Sequence, residues 1–313
     1  MSTNCELSLS LVITSYTTER LNDIYELLDS IKQQTYQNME TIFVVERSQE
    51  LRDKLNDYIK EKKIDRVRIV FSDKKLGLSM ARNLGIENST GDIIGFVDDD
   101  VVLFPDWAEE MVKAFDSDSI IGVTGAAFPL WENDSLKWLP ESMYWLISCT
   151  GWTGWKEKRK VRGAFGANMA FRADAFGAGN RFSPDTGYTG GFRHQPISDD
   201  LEYSLRIRRE TKKDIFYTPY AQVWHRVSLQ RLSVGFLIAR SHQVGCTRRL
   251  IKKMYAEEFG NFEQENTVAK DTLKLLLQLP SELFKKPAIA IKKFFLVITV
   301  SLSIGVGYLL PYR

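Results

Sequence analysis

The chain has 313 residues, of which 44% are hydrophobic and 26% charged, with a formal net charge of +2. That length can bury a large core, and the near-balanced charge gives no electrostatic ground for a nucleic-acid partner. Its three cysteines, Cys5, Cys149 and Cys246, are scattered and form no CxxC pair, which argues against a disulfide framework or a structural zinc and fits a reducing compartment.

Leu9–Thr14 reads as a buried strand, with no basic and apolar leader ahead of it of the kind that marks a signal peptide. Glu19 to Gln34 follows with helical apolar spacing at Leu21, Ile24, Leu27, Leu28 and Ile31. Strands are expected at 40–46, 67–71, 92–97 and 120–124, and helices at 51–59, 79–87 and 106–115. Strand alternating with helix over the first 125 residues predicts an α/β domain with a parallel sheet and helices on both faces. After Thr124 the pattern breaks: glycine and tryptophan become dense, and helices are next expected at 201–210 and 229–255.

Ligands in open α/β sheets bind beyond the carboxyl ends of the strands. The strand ending at Val97 runs into Asp98-Asp99-Asp100 there. Three adjacent carboxylates repel one another unless a cation or proton intervenes. Alternate residues of a strand share a face, so Asp98 and Asp100 can meet one hard divalent ion such as Mg²⁺. The other reading of the same run is a solvated turn that caps the following helix.

Four segments taken together decide more than any one. Val12-Ile13-Thr14-Ser15-Tyr16, Val44-Val45-Glu46, Gly77-Leu78-Ser79-Met80-Ala81-Arg82-Asn83 and Phe96-Val97-Asp98-Asp99-Asp100 resemble, in order and spacing, the family 2 glycosyltransferases. Gly166–Phe171, Asp199-Asp200-Leu201-Glu202 and Val223-Trp224-His225 extend the resemblance to about residue 230. It implies a GT-A fold, meaning a Rossmann-like mixed sheet flanked by helices, and inverting transfer from a nucleotide diphosphate sugar. It further implies a nucleotide-sugar half over 1–125, a catalytic and acceptor half over 126–230, and a helical region over 231–313.

Residue roles follow from the resemblance. Asp98, Asp100 and His225 are expected to hold Mg²⁺ or Mn²⁺, the imidazole favouring Mn²⁺; a packed histidine behind Trp224 is the alternative. Asp200 is expected to be the general base, with Asp199 standing where relatives carry Glu; simple N-capping of the next helix is the plainer reading. Thr14, Tyr16, Glu46, Asp73, Arg82, Asp98 and Asp99 are expected around the donor, Tyr16 stacking on the base and Arg82 facing phosphate or forming a surface ion pair. Glu46-Arg47-Ser48 departs from the usual Asp-Asp-Gly-Ser, which leaves the nucleotide base open.

Trp131, Trp138, Trp145 and Trp152 recur every seventh residue, but Pro140 argues against one helix through them. Core packing and sugar or interface contacts both fit. The basic run Lys156–Arg162 is either a solvated face or an anion site. Gly187–Gly191 reads as a turn or a lid, and His194 and His242 have no predicted partner. Phe294–Leu310 carries no charge and follows Lys285, Lys286, Lys292 and Lys293. At roughly 17 residues it is barely long enough to span a bilayer. A span with the domain on the cytoplasmic face, an interfacial helix and a packed apolar helix all fit.

Within the family the chain resembles archaeal enzymes that extend dolichyl phosphate-linked glycans in protein glycosylation. That implies a UDP-linked donor such as UDP-glucuronate, a lipid-linked glycan acceptor and a cell membrane location. A transferase for surface polysaccharide or another glycolipid is the alternative, and a sugar-nucleotide-binding protein without activity is the non-enzyme one.

Overall fold

The computed structural model describes residues 7–185, 198–255 and 263–310. Cys5, His194 and the Gly187–Gly191 stretch lie outside the described residues. The chain divides into two compact units. Among the described residues, one holds the chain up to Ala127, residues 156–185 and Asp199–His225; the other holds Phe128–Trp155 and the chain from Arg226.

The first unit is built on a sheet. Its strands are β1 (Leu9–Ser15), β2 (Met39–Glu46), β3 (Val67–Ser72), β4 (Ile93–Val97), β5 (Val101–Leu103), β6 (Ile120–Trp131), β7 (Arg159–Val161), β8 (Asn168–Arg172) and β9 (Asp214–Val227). Among the described residues they form a nine-stranded sheet in the order β3-β2-β1-β4-β8-β6-β9-β5, with β7 on β9. β3, β2, β1 and β4 are parallel. Beyond β4 the parallel order expected from the first 125 residues gives way to the mixed sheet that the family resemblance implies. β8 inserts antiparallel between β4 and β6, and β5 pairs antiparallel with β9. The sheet is therefore mixed.

The parallel part obeys the period-2 rule of strands. Leu9, Leu11 and Ile13 join Phe43 and Val45 in one core, filled from α1 (Leu21–Lys32) by Ile24, Leu27, Leu28 and Ile31. α2 (Gln49–Lys62) adds Leu51 and Leu55, its first turn capped by Ser48 Oγ, which accepts from the Leu51 N–H at 3.1 Å. α4 (Trp107–Lys113) adds Trp107 and Met111. Val12, on the opposite face of β1, meets α3 (Leu78–Glu87) where Gly85 lets the helix approach. Helices thus cover both faces, as the apolar strands require.

Asn168, fully buried at the start of β8, joins the inserted strands. It accepts from Trp107 Nε1 at 2.9 Å and donates to the Ala126 and Ala221 carbonyls at 3.0 and 2.9 Å. Asn168→Leu leaves three buried polar groups short of a partner, each costing about 1–3 kcal/mol. The variant is expected to lose at least about 3 kcal/mol of stability in urea unfolding; a midpoint within error of the parent would show the amide to be dispensable. The basic run is spent structurally in part, since Lys158 pairs with Asp116 at 2.7 Å and Lys160 with Asp214 at 2.6 Å.

The second unit has a helical core. Three short 3₁₀ segments, Asp134–Leu136, Glu141–Ile147 and Gly151–Thr153, replace any continuous helix through the tryptophans. Leu139, Met143, Leu146 and Ile147 pack with Leu237, Leu275, Leu296, Val297 and Val300, and Trp131, Trp138 and Trp145 lie against that cluster. Among the described residues its α-helices are α6 (Val234–Met254), α7 (Glu263–Lys285) and α8 (Pro287–Leu309). α5 (Asp199–Thr211) belongs to the first unit.

Candidate active site

The site forms where β1, β4 and β5 end or begin. β4 stops at Val97 and β5 starts at Val101, so Asp98-Asp99-Asp100 is a turn between two strands rather than the expected strand extension. Register then decides what the turn meets. Val101 lies opposite His225 on β9, which carries that buried imidazole to the Asp100 carboxylate. His225 Nε2 stands 3.3 Å from Asp100 Oδ1. Trp224, one residue earlier and so on the other face, is partly exposed and stacks on Phe104. One ligand atom from each of Asp98, Asp100 and His225 lies within 4.8 Å of the other two. Ligands about 2.1 Å from one ion stand up to about 4.2 Å apart. Little rearrangement would close the trio on a divalent cation, and two carboxylates with an imidazole are a suitable donor set.

Arg20, at the start of α1, is the residue the sequence reading missed. Its Nη1 donates to Asp99 Oδ1 at 2.9 Å and to Asp100 Oδ2 at 3.1 Å. A cation at this point offsets the repulsion of three neighbouring carboxylates. Burial still pushes the Asp99 carboxyl up to about 6, against the pull of Arg20 and a hydrogen bond from Ser15 and with the charge of Asp100 adding to it. The signal in the sequence was position alone: Arg20 follows β1 in the first strand–helix loop, where ligands of α/β folds gather.

A second group of carboxylates sits at the N-terminus of α5. Arg82 of α3 ties it to the first group. Its Nη1 donates to Asp199 Oδ2 at 2.9 Å, and its Nη2 to the Gly166 carbonyl at 3.1 Å and towards Asp98 Oδ1 at 3.4 Å. Arg82 and Asp199 are both nearly inaccessible, so the surface ion pair considered for Arg82 is instead a buried one. Removing one partner of such a pair typically costs about 3–5 kcal/mol.

Asp200 has different surroundings. Its Oδ2 accepts the Gly166 N–H at 2.7 Å and its Oδ1 the Leu201 N–H at 2.8 Å. Burial and then the Asp199 charge push its carboxyl up to about 6, against Arg82 and these two backbone donors. The residue nonetheless keeps part of its surface open to solvent. A β-carbon at 166 would come to 2.9 Å from Asp200 Oδ2 and displace that carboxylate.

The remaining predicted residues divide. Thr14 is partly buried near the end of β1, Tyr16 is exposed beyond it, and the Arg47 guanidinium lies 5.9 Å from the Tyr16 ring centre. Glu46 is buried at the end of β2, and its Oε2 accepts the Leu76 and Gly77 N–H groups at 2.6 and 2.8 Å. That carboxylate fixes the loop into α3, where Gly77 takes φ +74°, a left-handed value that favours glycine. Asp73 is exposed just past β3, with no contact to the acidic turn among the bonds described.

The Glycosyl transferase family 2 model matches residues 10–180, over half of the chain and through both the acidic turn and Arg82. The chain belongs to this family. This family 2 glycosyltransferase is 26% identical over 305 residues to the glucosyl-dolichyl phosphate glucuronosyltransferase of Haloferax volcanii, covering 96% of this chain and 95% of the relative. A shorter match, 25% identical over 193 residues, links it to the succinoglycan biosynthesis protein ExoM of Rhizobium meliloti, covering 61% of this chain and 57% of that one. Among solved structures, the mannosyltransferase PcManGT from Pyrobaculum calidifontis, in complex with GDP-Man and Mn²⁺, superposes with a TM-score of 0.65 at 15% identity. That superposition covers 99% of this glycosyltransferase and 89% of the other chain. GalNAc-T7 with UDP, GalNAc and Mn²⁺ gives a TM-score of 0.58 at 16% identity, over 86% and 55% of the two chains. These likenesses fix the fold as GT-A.

Proposed function

We propose that this glycosyltransferase moves a sugar, with inversion, from a nucleotide diphosphate donor to a hydroxyl of a lipid-linked glycan at the cytoplasmic face of a membrane. The full-length similarity to the Haloferax volcanii glucosyl-dolichyl phosphate glucuronosyltransferase supports a dolichyl phosphate-linked acceptor and transfer of glucuronate; a UDP-linked donor, UDP-glucuronate first among them, and a role in protein N-glycosylation are what the family resemblance implies. The observation that carries the chemistry is the division of labour between adjacent carboxylates. Asp199 is engaged by Arg82, whereas Asp200 is held by backbone N–H groups with its carboxyl raised to about 6.

Asp98, Asp100 and His225 would hold Mg²⁺ or Mn²⁺, which when bound neutralises charge gathering on the departing nucleoside diphosphate. Arg20 and Arg82 hold the carboxylates of the turn in place and add positive charge beside them. Thr14, Tyr16, Glu46, Asp73 and Asp99 lie on or beside the ends of β1–β4, the side on which this fold class binds a nucleotide. Asp200 takes the proton from the acceptor hydroxyl as its oxygen attacks the anomeric carbon. The bond from that carbon to the diphosphate oxygen breaks, and attack from the far side inverts the centre. The Gly166 and Leu201 N–H groups orient the Asp200 carboxylate for this transfer.

A mass-spectrometric screen tests the reading. Purified protein, Mn²⁺ or Mg²⁺, a panel of nucleotide sugars and a polyprenyl phosphate-linked saccharide should yield an elongated lipid and free nucleoside diphosphate. Release of inorganic diphosphate would point to nucleotidyl transfer instead. Turnover only on a soluble polysaccharide acceptor would replace the lipid-linked reading with the polysaccharide one.

A further inference from the structure

α8 is long and apolar enough to cross a membrane, and little of it is buried within the molecule. Its 23 residues reach about 35 Å, against a hydrocarbon core of about 30 Å. A crossing helix must take its packing partners into the bilayer with it, and the partner here is α6.

The two helices run side by side in the same direction. Ser303 Oγ donates to the Ile238 carbonyl at 2.7 Å. Further along, the backbones touch: a β-carbon on Gly245 would collide with the Ile304 carbonyl, and one on Gly307 with that of His242. At the end Arg249 Nη1 donates to the Tyr308 and Leu309 carbonyls at 3.1 and 2.8 Å, satisfying acceptors that the last turn of α8 leaves open. α6 thus follows the C-terminal half of α8 with Arg240, His242, Arg248 and Arg249 on board. An upright α8 would place Arg240 and His242 within hydrocarbon and carry Arg248 and Arg249, level with its last turn, across to the far interface, and both are strongly disfavoured for polar and cationic side chains.

The outward face of α8 tells the other half. Ile291, Phe295, Ile298, Leu302, Val306 and Leu309, all exposed, recur at three- and four-residue steps and so form one stripe. α7 exposes Leu273, Leu277 and Phe284, while Leu275 and Leu279 on its other side are buried. Lys285 and Lys286 are exposed where the two helices join, and Lys292 stands 5.8 Å over the Trp138 ring. Apolar stripes bordered by lysines and an indole match the interface of an anionic bilayer, with acyl chains on one side and phosphate headgroups on the other.

We propose that α7 and α8 form a monotopic surface that lies on an anionic bilayer, and that α6 keeps α8 in the plane of the interface so that it does not cross. The inference builds on the membrane-acceptor reading above, but its test needs no acceptor. Full-length protein is floated with sealed phosphatidylcholine vesicles with or without phosphatidylglycerol. It should float with the anionic vesicles, and Phe295→Ser with Leu302→Ser should abolish this while Mn²⁺ binding and the thermal transition persist. Should that variant fail to fold, Lys285→Gln with Lys286→Gln should weaken anionic-vesicle binding about tenfold or more. Flotation unchanged in the variants overturns the proposal. Topology is read in inverted inner-membrane vesicles from a bacterial host, using an epitope added after Arg313. Added protease should remove the epitope without detergent; protection until detergent is added would mean that α8 crosses, and would also overturn it. Loss of lipid glycosylation with flotation and epitope access intact would count against the proposed function alone.

Discussion

Asp200→Asn should retain donor binding and lose transfer, with kcat down by about 10²–10⁴-fold, the usual contribution of a positioned general base. The amide keeps the shape of the carboxylate, but its single oxygen can accept only one of the Gly166 and Leu201 N–H groups, which in the parent meet two different carboxylate oxygens, and it cannot take a proton. Donor affinity, measured by calorimetry on the variant, should stay within about threefold of the parent, since a base acting only in the transition state contributes little to ground-state binding. The pH profile supplies the independent check. The carboxyl is raised to about 6 by burial and by Asp199. The base form is therefore lost as pH falls through about 6, and kcat/KM should drop about tenfold per pH unit below that point and level off above it. The residual activity of Asp200→Asn should lack this limb. A variant that turned over at the parental rate, or kept the limb, would move the role of base to another group.

The acidic turn should give an effect of similar size for a different reason. Exhaustive chelation, or Asp100→Asn, is expected to remove several kcal/mol of transition-state stabilisation, hence about 10³-fold in kcat/KM. Added Mn²⁺ should restore chelated parent enzyme and leave the variant low. Asp100 is the informative choice because it faces both His225 and Arg20. His225→Ala should weaken Mn²⁺, followed by its paramagnetic resonance signal in protein alone, more than it weakens Mg²⁺, since imidazole suits the softer ion better. Equal Mn²⁺ binding by parent and His225→Ala would remove the imidazole from the ligand set. Full activity after chelation would remove the metal from the mechanism.

The local sequence specifies some elements of this fold and leaves others to their neighbours. The short, nearly continuous apolar runs at 9–14, 40–46, 67–71 and 92–97, and the helical spacing of Ile24, Leu27, Leu28 and Ile31, mark the buried parallel core, because strands covered by helices on both faces carry apolar side chains on both. β8 and β9 were not legible. Asn168–Arg172 is five residues long, and its place between β4 and β6 depends on the contacts of Asn168 with strands far along the chain. Short strands of this kind take their state from neighbours rather than from intrinsic preference.

At the site, the acidic triplet after β4 and the two carboxylates opening α5 are legible in the local sequence, since a run of like charges at the end of an element stands out on its own. Which carboxylate each cation takes depends on how the elements pack together. The residues that meet are Arg20 with Asp99 and Asp100, Arg82 with Asp199, and His225 with Asp100. Each pairing joins positions far apart in the chain through strand register or helix docking. Local sequence can place a charge on an element, but the packing of that element against others sets which charge it faces.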